Sequence, residues 1–167
     1  MGGPVIEIVD VDLSLPEHAE AVVHLLNDYA LDPMGGGDGL SEFARSSLVP
    51  ELRKRHWMRG LLAYVDGDAA GLAICIEGFS TFACKPLLNI HDLAVGRKFR
   101  RRGVAKQLLA RIEAIARDMG CCKITMEVLE GNIVAQDAYR AFGYAPYQLD
   151  PQTGRAMFWQ NILEIAK

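Results

Sequence analysis

The stretch from Leu87 to Met119 constrains what this chain can fold into more than any other. An apolar run ending at Val95 leads into Gly96, Arg97, Lys98, Phe99, Arg100, Arg101, Arg102, Gly103, Val104 and Ala105, and apolar residues then recur at Leu108, Ile112, Ile115, Ala116 and Met119. The first run reads as a strand. The second follows a 3.6-residue period from Val104 and is closed by Gly120, so it reads as an amphipathic helix. Strand, turn and helix N-terminus in that order leave unpaired backbone N–H groups and the positive end of the helix dipole at the turn, an arrangement suited to an anion. Small residues at Gly103 and Ala105 let phosphate oxygens reach those amides. Arg97, Lys98, Arg100, Arg101, Arg102 and Lys106 add six cations within ten residues. Such a run also suits a nucleic-acid patch or a solvated face. The formal net charge of −3 and the lack of a second basic cluster argue against nucleic acid and for one polyphosphate ligand.

Around this unit the chain punctuates itself clearly. Val5 to Val9 reads as a strand, and Pro16 opens a helix with Ala21, Val22, Leu25 and Leu26 on its apolar face. Met34 to Gly39 carries four glycines in five positions and is expected to be irregular, either as a connection or as a flap over a substrate. A helix from Ser41 to Arg53 follows. Leu61 to Val65 and Ala69 to Ile76 flank Asp66, Gly67 and Asp68, a hairpin signal, and Leu87 to Val95 continues the sheet. Lys123 to Leu129 reads as a strand, Asn132 as the N-cap of a helix through Ala141, and Tyr144 to Gln148 and Ala156 to Ile162 as strands around a turn at Asp150 to Gly154. The order gives one mixed α/β domain over residues 1–167, with seven strands and four helices.

No segment approaches the roughly 20 apolar residues of a membrane-spanning helix, so a cytoplasmic protein that contacts no membrane is expected. The four cysteines, Cys75, Cys84, Cys121 and Cys122, lack zinc-site spacing and read as free thiols, with no metal expected.

Arg100, Gly103 and Ala105 match the pyrophosphate motif of the GCN5-related N-acetyltransferases, and the segment Val95 to Ala105 resembles that family's turn. Leu93, Ala94 and Val95 resemble the family's strand whose backbone pairs with pantetheine. A second block, Asn132, Ala135, Tyr139, Gly143 and Tyr144, falls at the family's spacings. The resemblance implies a mixed, mostly antiparallel sheet and acetyl-CoA as co-substrate. It implies binding of that co-substrate by Leu93, Ala94, Val95, Arg100, Arg101, Arg102, Gly103, Val104, Ala105, Lys106 and Asn132.

Acetyl transfer to an amine needs a neutral nucleophile, a polarised thioester carbonyl and a proton for the leaving thiolate. Tyr139 matches the family's general acid, and a phenol of pKa about 10 is near enough to a thiol's about 8.5 to share a proton. In the strand Asn89 to Leu93, alternation places Asn89, His91 and Leu93 on one face and Ile90 and Asp92 on the other. Ile90 to Val95 resembles both the arylalkylamine branch of the family, with a histidine at position 91, and the polyamine branch, with a glutamate there followed by aspartate. His91 is therefore the expected base, with a structural histidine as the bland alternative and Glu77 or Asp92, acting through water, as the next bases to test. Phe79 to Phe82 resembles a loop of polyamine acetyltransferases, and an aromatic pair there could hold a cationic amine through its ring faces. Glu77, Phe79, Phe82 and Asp92 are the candidate substrate contacts. The expected partner is a small-molecule primary amine, with a homodimer left open. The alternatives are a protein lysine or N-terminal acetyltransferase, or a non-catalytic acyl-CoA sensor.

Overall fold

A computed structural model describes residues 4–163. Their internal contacts divide the chain into two compact units, Met1–Leu129 and Glu130–Lys167. The first holds five strands, β1 (Ile6–Asp10), β2 (Met58–Val65), β3 (Asp68–Ser80), β4 (Lys85–Val95) and β5 (Ile124–Met126), joined in that order. The first four are antiparallel neighbours, and β5 lies parallel to β4. An antiparallel step needs only a turn, as between β2 and β3. There Asp66 (φ 52°) and Gly67 (φ 89°) take the two positive φ values that a two-residue hairpin demands. The parallel step needs a crossover, which α3 (Val104–Asp118) provides.

Helices cover both faces of this sheet. α1 (Pro16–Ala30) buries Ala21, Val22 and Leu25 against Leu62, Leu72 and Ile74, and Leu48 and Leu52 of α2 (Glu42–Arg53) border that cluster. Each fully buried aliphatic side chain contributes about 1.5–3 kcal/mol. Residues 72 and 74 of β3 thus face α1, and residue 71 faces the other way. A Cβ on Gly71 would stand 2.8 Å from Val104 Cγ1 and 3.1 Å from Leu108 Cδ1, so a glycine is what lets the first turn of α3 seat on the sheet. α3 buries Val104, Leu108, Leu109, Ile112 and Ala116, the stripe its periodicity predicts.

The glycine-rich segment is less irregular than its composition suggests. Pro33–Gly35 forms one 3-10 turn capped by Asp32, whose Oδ1 accepts from the Met34 N–H at 3.0 Å. The Gly37 N–H donates to Ala30 O at 2.8 Å and the Leu40 N–H to Asn27 Oδ1 at 3.0 Å, so the segment is fastened to the end of α1. Among the described residues no helix is long and apolar enough to cross a membrane.

The second unit opens with α4 (Ile133–Ala141), capped by Asn132 as expected, its Oδ1 accepting from the Ala135 N–H at 3.2 Å. The two strands expected beyond it do not form. Gln152 N–H donates to Asp150 Oδ1 at 2.7 Å and Ala156 N–H to Tyr147 O at 2.9 Å, but only a bridge between Gln148 and Arg155 follows. Pro146 removes a ladder donor from one run, and a two-stranded ribbon is marginal by itself. The described residues therefore hold five strands where seven were expected.

Candidate active site

The site is organised by a change halfway along β4. On its β5 side, pairing covers Leu88 with Ile124, Asn89 with Thr125 and Ile90 with Met126, and goes no further. From His91 to Val95 no strand among the described residues occupies that edge. On the β3 side, Asp92 pairs with Ile74 and Ile90 with the next residue, Cys75, so His91 is the extra residue of a β-bulge.

The bulge corrects the alternation expected from sequence. Asp92, opposite Ile74, and Asn89, opposite Ile76, lie on the α1 face, whereas Leu93, opposite Ala73, and Ile90, opposite Cys75, lie on the α3 face. Asn89 therefore parts from Leu93, Ile90 parts from Asp92, and His91 belongs to neither ladder pair. His91 is exposed and Asp92 half-buried. Burial holds the Asp92 carboxyl above the usual range, opposed by the charge of His91. Tyr29, on the last turn of α1, has its phenol pushed up by burial and then by Asp92 and Asp32. Nothing in the sequence signals that Tyr29 feels the charge of Asp92, because that depends on where α1 crosses the sheet.

Beyond Val95 the chain turns through Arg97–Phe99, one 3-10 turn anchored by the buried ring of Phe99. Arg101 has φ 59° and Gly103 φ 86°, so two residues in the left-handed region set the approach to α3. For the arginine this costs about 1–2 kcal/mol. Gly103 is the N-cap of α3 and has no side chain to satisfy the first-turn amides, and that turn carries no acidic residue. The amides of Val104, Ala105 and Lys106 thus stand without a side-chain cap at a dipole's positive end, close to the open strand edge, an arrangement suited to an anion.

The cations beside this turn are not equivalent. Arg100 donates from Nε to Val95 O at 3.2 Å and from Nη2 to Asp32 Oδ2 at 2.9 Å. Lys98 pairs with Asp68 at 3.3 Å and Arg102 with Asp66 at 3.7 Å, and both cations lie over the Phe99 ring. Among the described residues neither Arg101 nor Lys106 forms an ion pair. Asp32 escaped the sequence reading, although Asp followed by Pro33 is a cap signal.

The other substrate candidates do not gather at the bulge. Glu77 sits opposite Leu88, on the α3 face, whereas Asp92 is on the α1 face. Phe79 and Phe82, 60% and 101% exposed, stand at the far end of the β3–β4 hairpin. Phe79 lies five residue steps along β3 from Ile74, the partner of Asp92, a span of roughly 17 Å. In the second unit, Tyr139 packs edge-on against Tyr144, with ring centroids 6.2 Å apart. Cys75 is buried, and burial pushes its thiol up to about 12, which makes it a core residue rather than a nucleophile.

The chain is similar to proteins of known activity. The profile of the Acetyltransferase (GNAT) family matches residues 21–144. A thialysine N-epsilon-acetyltransferase of Caenorhabditis elegans is 29% identical over 146 residues, covering 83% of this chain and 82% of that protein. An aminoglycoside N(6')-acetyltransferase type 1 of Salmonella typhimurium is 26% identical over 114 residues, covering 66% of this chain and 74% of that protein. A solved aminoglycoside N-acetyltransferase in complex with CoA shares the fold with a TM-score of 0.72 at 21% identity, over 96% of this chain and 97% of that one. With the family profile running from the first helix through α4, this chain belongs to the GNAT family and is an acetyl-CoA-dependent acetyltransferase acting on amines.

Proposed function

We propose that the chain acetylates the primary amine of a small molecule by direct attack, with one residue taking a proton from the amine and another giving one to the leaving thiolate. The observation that carries this reading is the half-open β4 edge running into the uncapped start of α3. The similarity to thialysine and aminoglycoside acetyltransferases supports the substrate class. The family profile runs from residue 21 to residue 144, past the start of the second unit, which supports reading residues 1–167 as one catalytic domain. Four cysteines, none in a disulfide, fit a reducing cytoplasm.

Acetyl-CoA, when bound, supplies the acetyl group as a thioester. The residues of the chain do the rest. Leu93, Ala94 and Val95 offer backbone groups to the pantetheine amides, and Val104, Ala105 and Lys106 offer theirs to the phosphates, with Arg101, Arg102 and Lys106 adding charge. Asn132 contributes from the start of α4. The bulge withdraws His91 from the ladder and leaves it exposed, where its imidazole takes the proton from an incoming ammonium. Asp92, half-buried beside it, favours a cationic substrate once ionised. Tyr139, from its place in the second family block, is the proton donor.

Free-thiol release with acetyl-CoA, run against diamines, thialysine and lysine, arylalkylamines, aminoglycosides and a lysine peptide, tests the substrate class. Release with at least one small amine and none with the peptide is expected, and the reverse would overturn it. Tyr139→Phe should retain acetyl-CoA affinity and lose about 10²- to 10⁴-fold in turnover, the range for a positioned proton donor. Turnover within a few-fold of the parent protein would return Tyr139 to a packing role.

A further inference from the structure

Arg100 is the residue that the pyrophosphate motif singles out, yet two of its five guanidinium N–H donors are already engaged. Nε is held by Val95 O at the last residue of β4, and Nη2 by Asp32 Oδ2 at the corner after α1. The Asp32 side chain is only 13% exposed, and its second oxygen caps the 3-10 turn through Met34. Its backbone is fixed as well, since its N–H donates to Tyr29 O at 2.9 Å and its carbonyl accepts from the Gly35 N–H at 2.8 Å. The carboxylate is thus aimed by three hydrogen bonds on its own segment before it meets Arg100. Arg100 itself directly precedes Arg101, whose positive φ is a conformation that persists only where its surroundings hold it.

We infer that Asp32 is a positioning residue for the phosphate turn: it holds Arg100 as a brace between the end of β4 and the α1 corner, and Arg100 does not itself bind phosphate. The phosphate charge then falls to Arg101, Arg102, Lys106 and the first amides of α3. The inference rests on the reading that the pyrophosphate lies at that helix start. It also links two parts of the molecule, because the α1 corner that carries Asp32 carries Tyr29, whose phenol lies within the electrostatic reach of Asp92 at the bulge.

A brace and a sequestered ligand predict opposite signs. Asp32→Asn keeps an oxygen for the Met34 N–H but removes the charge from Arg100. If Arg100 is a brace, CoA affinity by calorimetry should fall about three- to five-fold, the upper range for a single partly exposed ion pair. Arg100→Gln, which also loses the bond to Val95 O, should fall by at least that factor, and the double variant no further than Arg100→Gln alone, because the Asp32–Arg100 pair is then already absent. The KM for acetyl-CoA should rise with kcat unchanged, and Asp32→Glu should recover part of the loss. If Arg100 is instead a phosphate ligand withheld by Asp32, then Asp32→Asn raises CoA affinity, and that result overturns the inference. Unchanged affinity overturns it too, as does a loss in the double variant equal to the product of the single losses. Ala105→Asp is the separate control: it places a carboxylate at the helix start and should abolish CoA binding while the melting midpoint holds. Undiminished affinity in that variant would remove the phosphate site itself, whatever Asp32 does.

Discussion

The two halves of β4 share one strand and one antiparallel partner but differ on the opposite edge. From Pro86 to Ile90 that edge is filled: the Cys122 N–H donates to Pro86 O at 2.9 Å, and Leu88 to Ile90 pair with β5. From His91 to Val95 it has no strand beside it among the described residues. An open edge is a hazard, since its N–H and C=O groups invite pairing with another chain. A catalyst whose co-substrate carries amides along an extended arm can use such an edge. The bulge at His91 stands at the boundary of the two halves, where it ends one ladder and frees a side chain from it.

The comparison implies that substitutions in the closed half act on stability and those in the open half on turnover. The largest expected effect is in the closed half. Leu88 is 1% exposed on the α3 face, and Leu88→Ala should cost about 2–5 kcal/mol in urea unfolding through lost burial and the cavity left behind. A loss under about 1 kcal/mol would mean that this half is not the packed one.

His91→Ala should leave unfolding free energy within about 0.5 kcal/mol, as for an exposed side chain, and lower kcat/KM by about 10²-fold. The acidic limb of the rate profile, where a histidine base is lost to protonation, should vanish with it. His91→Glu should restore part of the rate and move the limb downward, because a carboxylate titrates about two units below an imidazole. An alkylammonium substrate loses a proton of its own, so an arylamine of low pKa is the necessary comparison. A limb that persists in His91→Ala with both amines would make position 91 structural and Asp92, acting through water, the next base to test.

The smallest effect is the pH dependence of stability at Asp92. Burial raises its folded pKa above the unfolded value of about 3.9, so the folded state binds the proton more tightly. Stability contributed there is present below about pH 4 and is lost as pH rises through the folded pKa. Asp92→Asn should therefore be the more stable protein relative to its parent at pH 7 than at pH 4, by urea unfolding at both values. A difference that does not change with pH would mean that Asp92 is not desolvated.

What the sequence determined by itself was local. The turn from Gly96 to Ala105, the stripe Val104, Leu108, Ile112, Ala116, the Asn132 cap and the Asp66–Gly67 hairpin each depend on a few contiguous residues whose conformational preferences agree. Their reading survived into the structure because nothing distant is needed to produce them. Pro146 could have warned against the penultimate strand, and Asp32 followed by Pro33 could have marked a cap. The tertiary structure alone decided the rest. A two-residue period assumes an unbroken ladder, and only the register of β3 against β4 reveals the extra residue at His91 that turns Asp92 toward α1. Only the crossing of α1 brings Tyr29 within reach of Asp92, and only the corner after it brings Asp32 to Arg100, 68 residues away in sequence. Long-range pairings of this kind arise from packing surfaces that no single segment encodes, so the local form of the turn was legible along the chain and the partners that hold it were not.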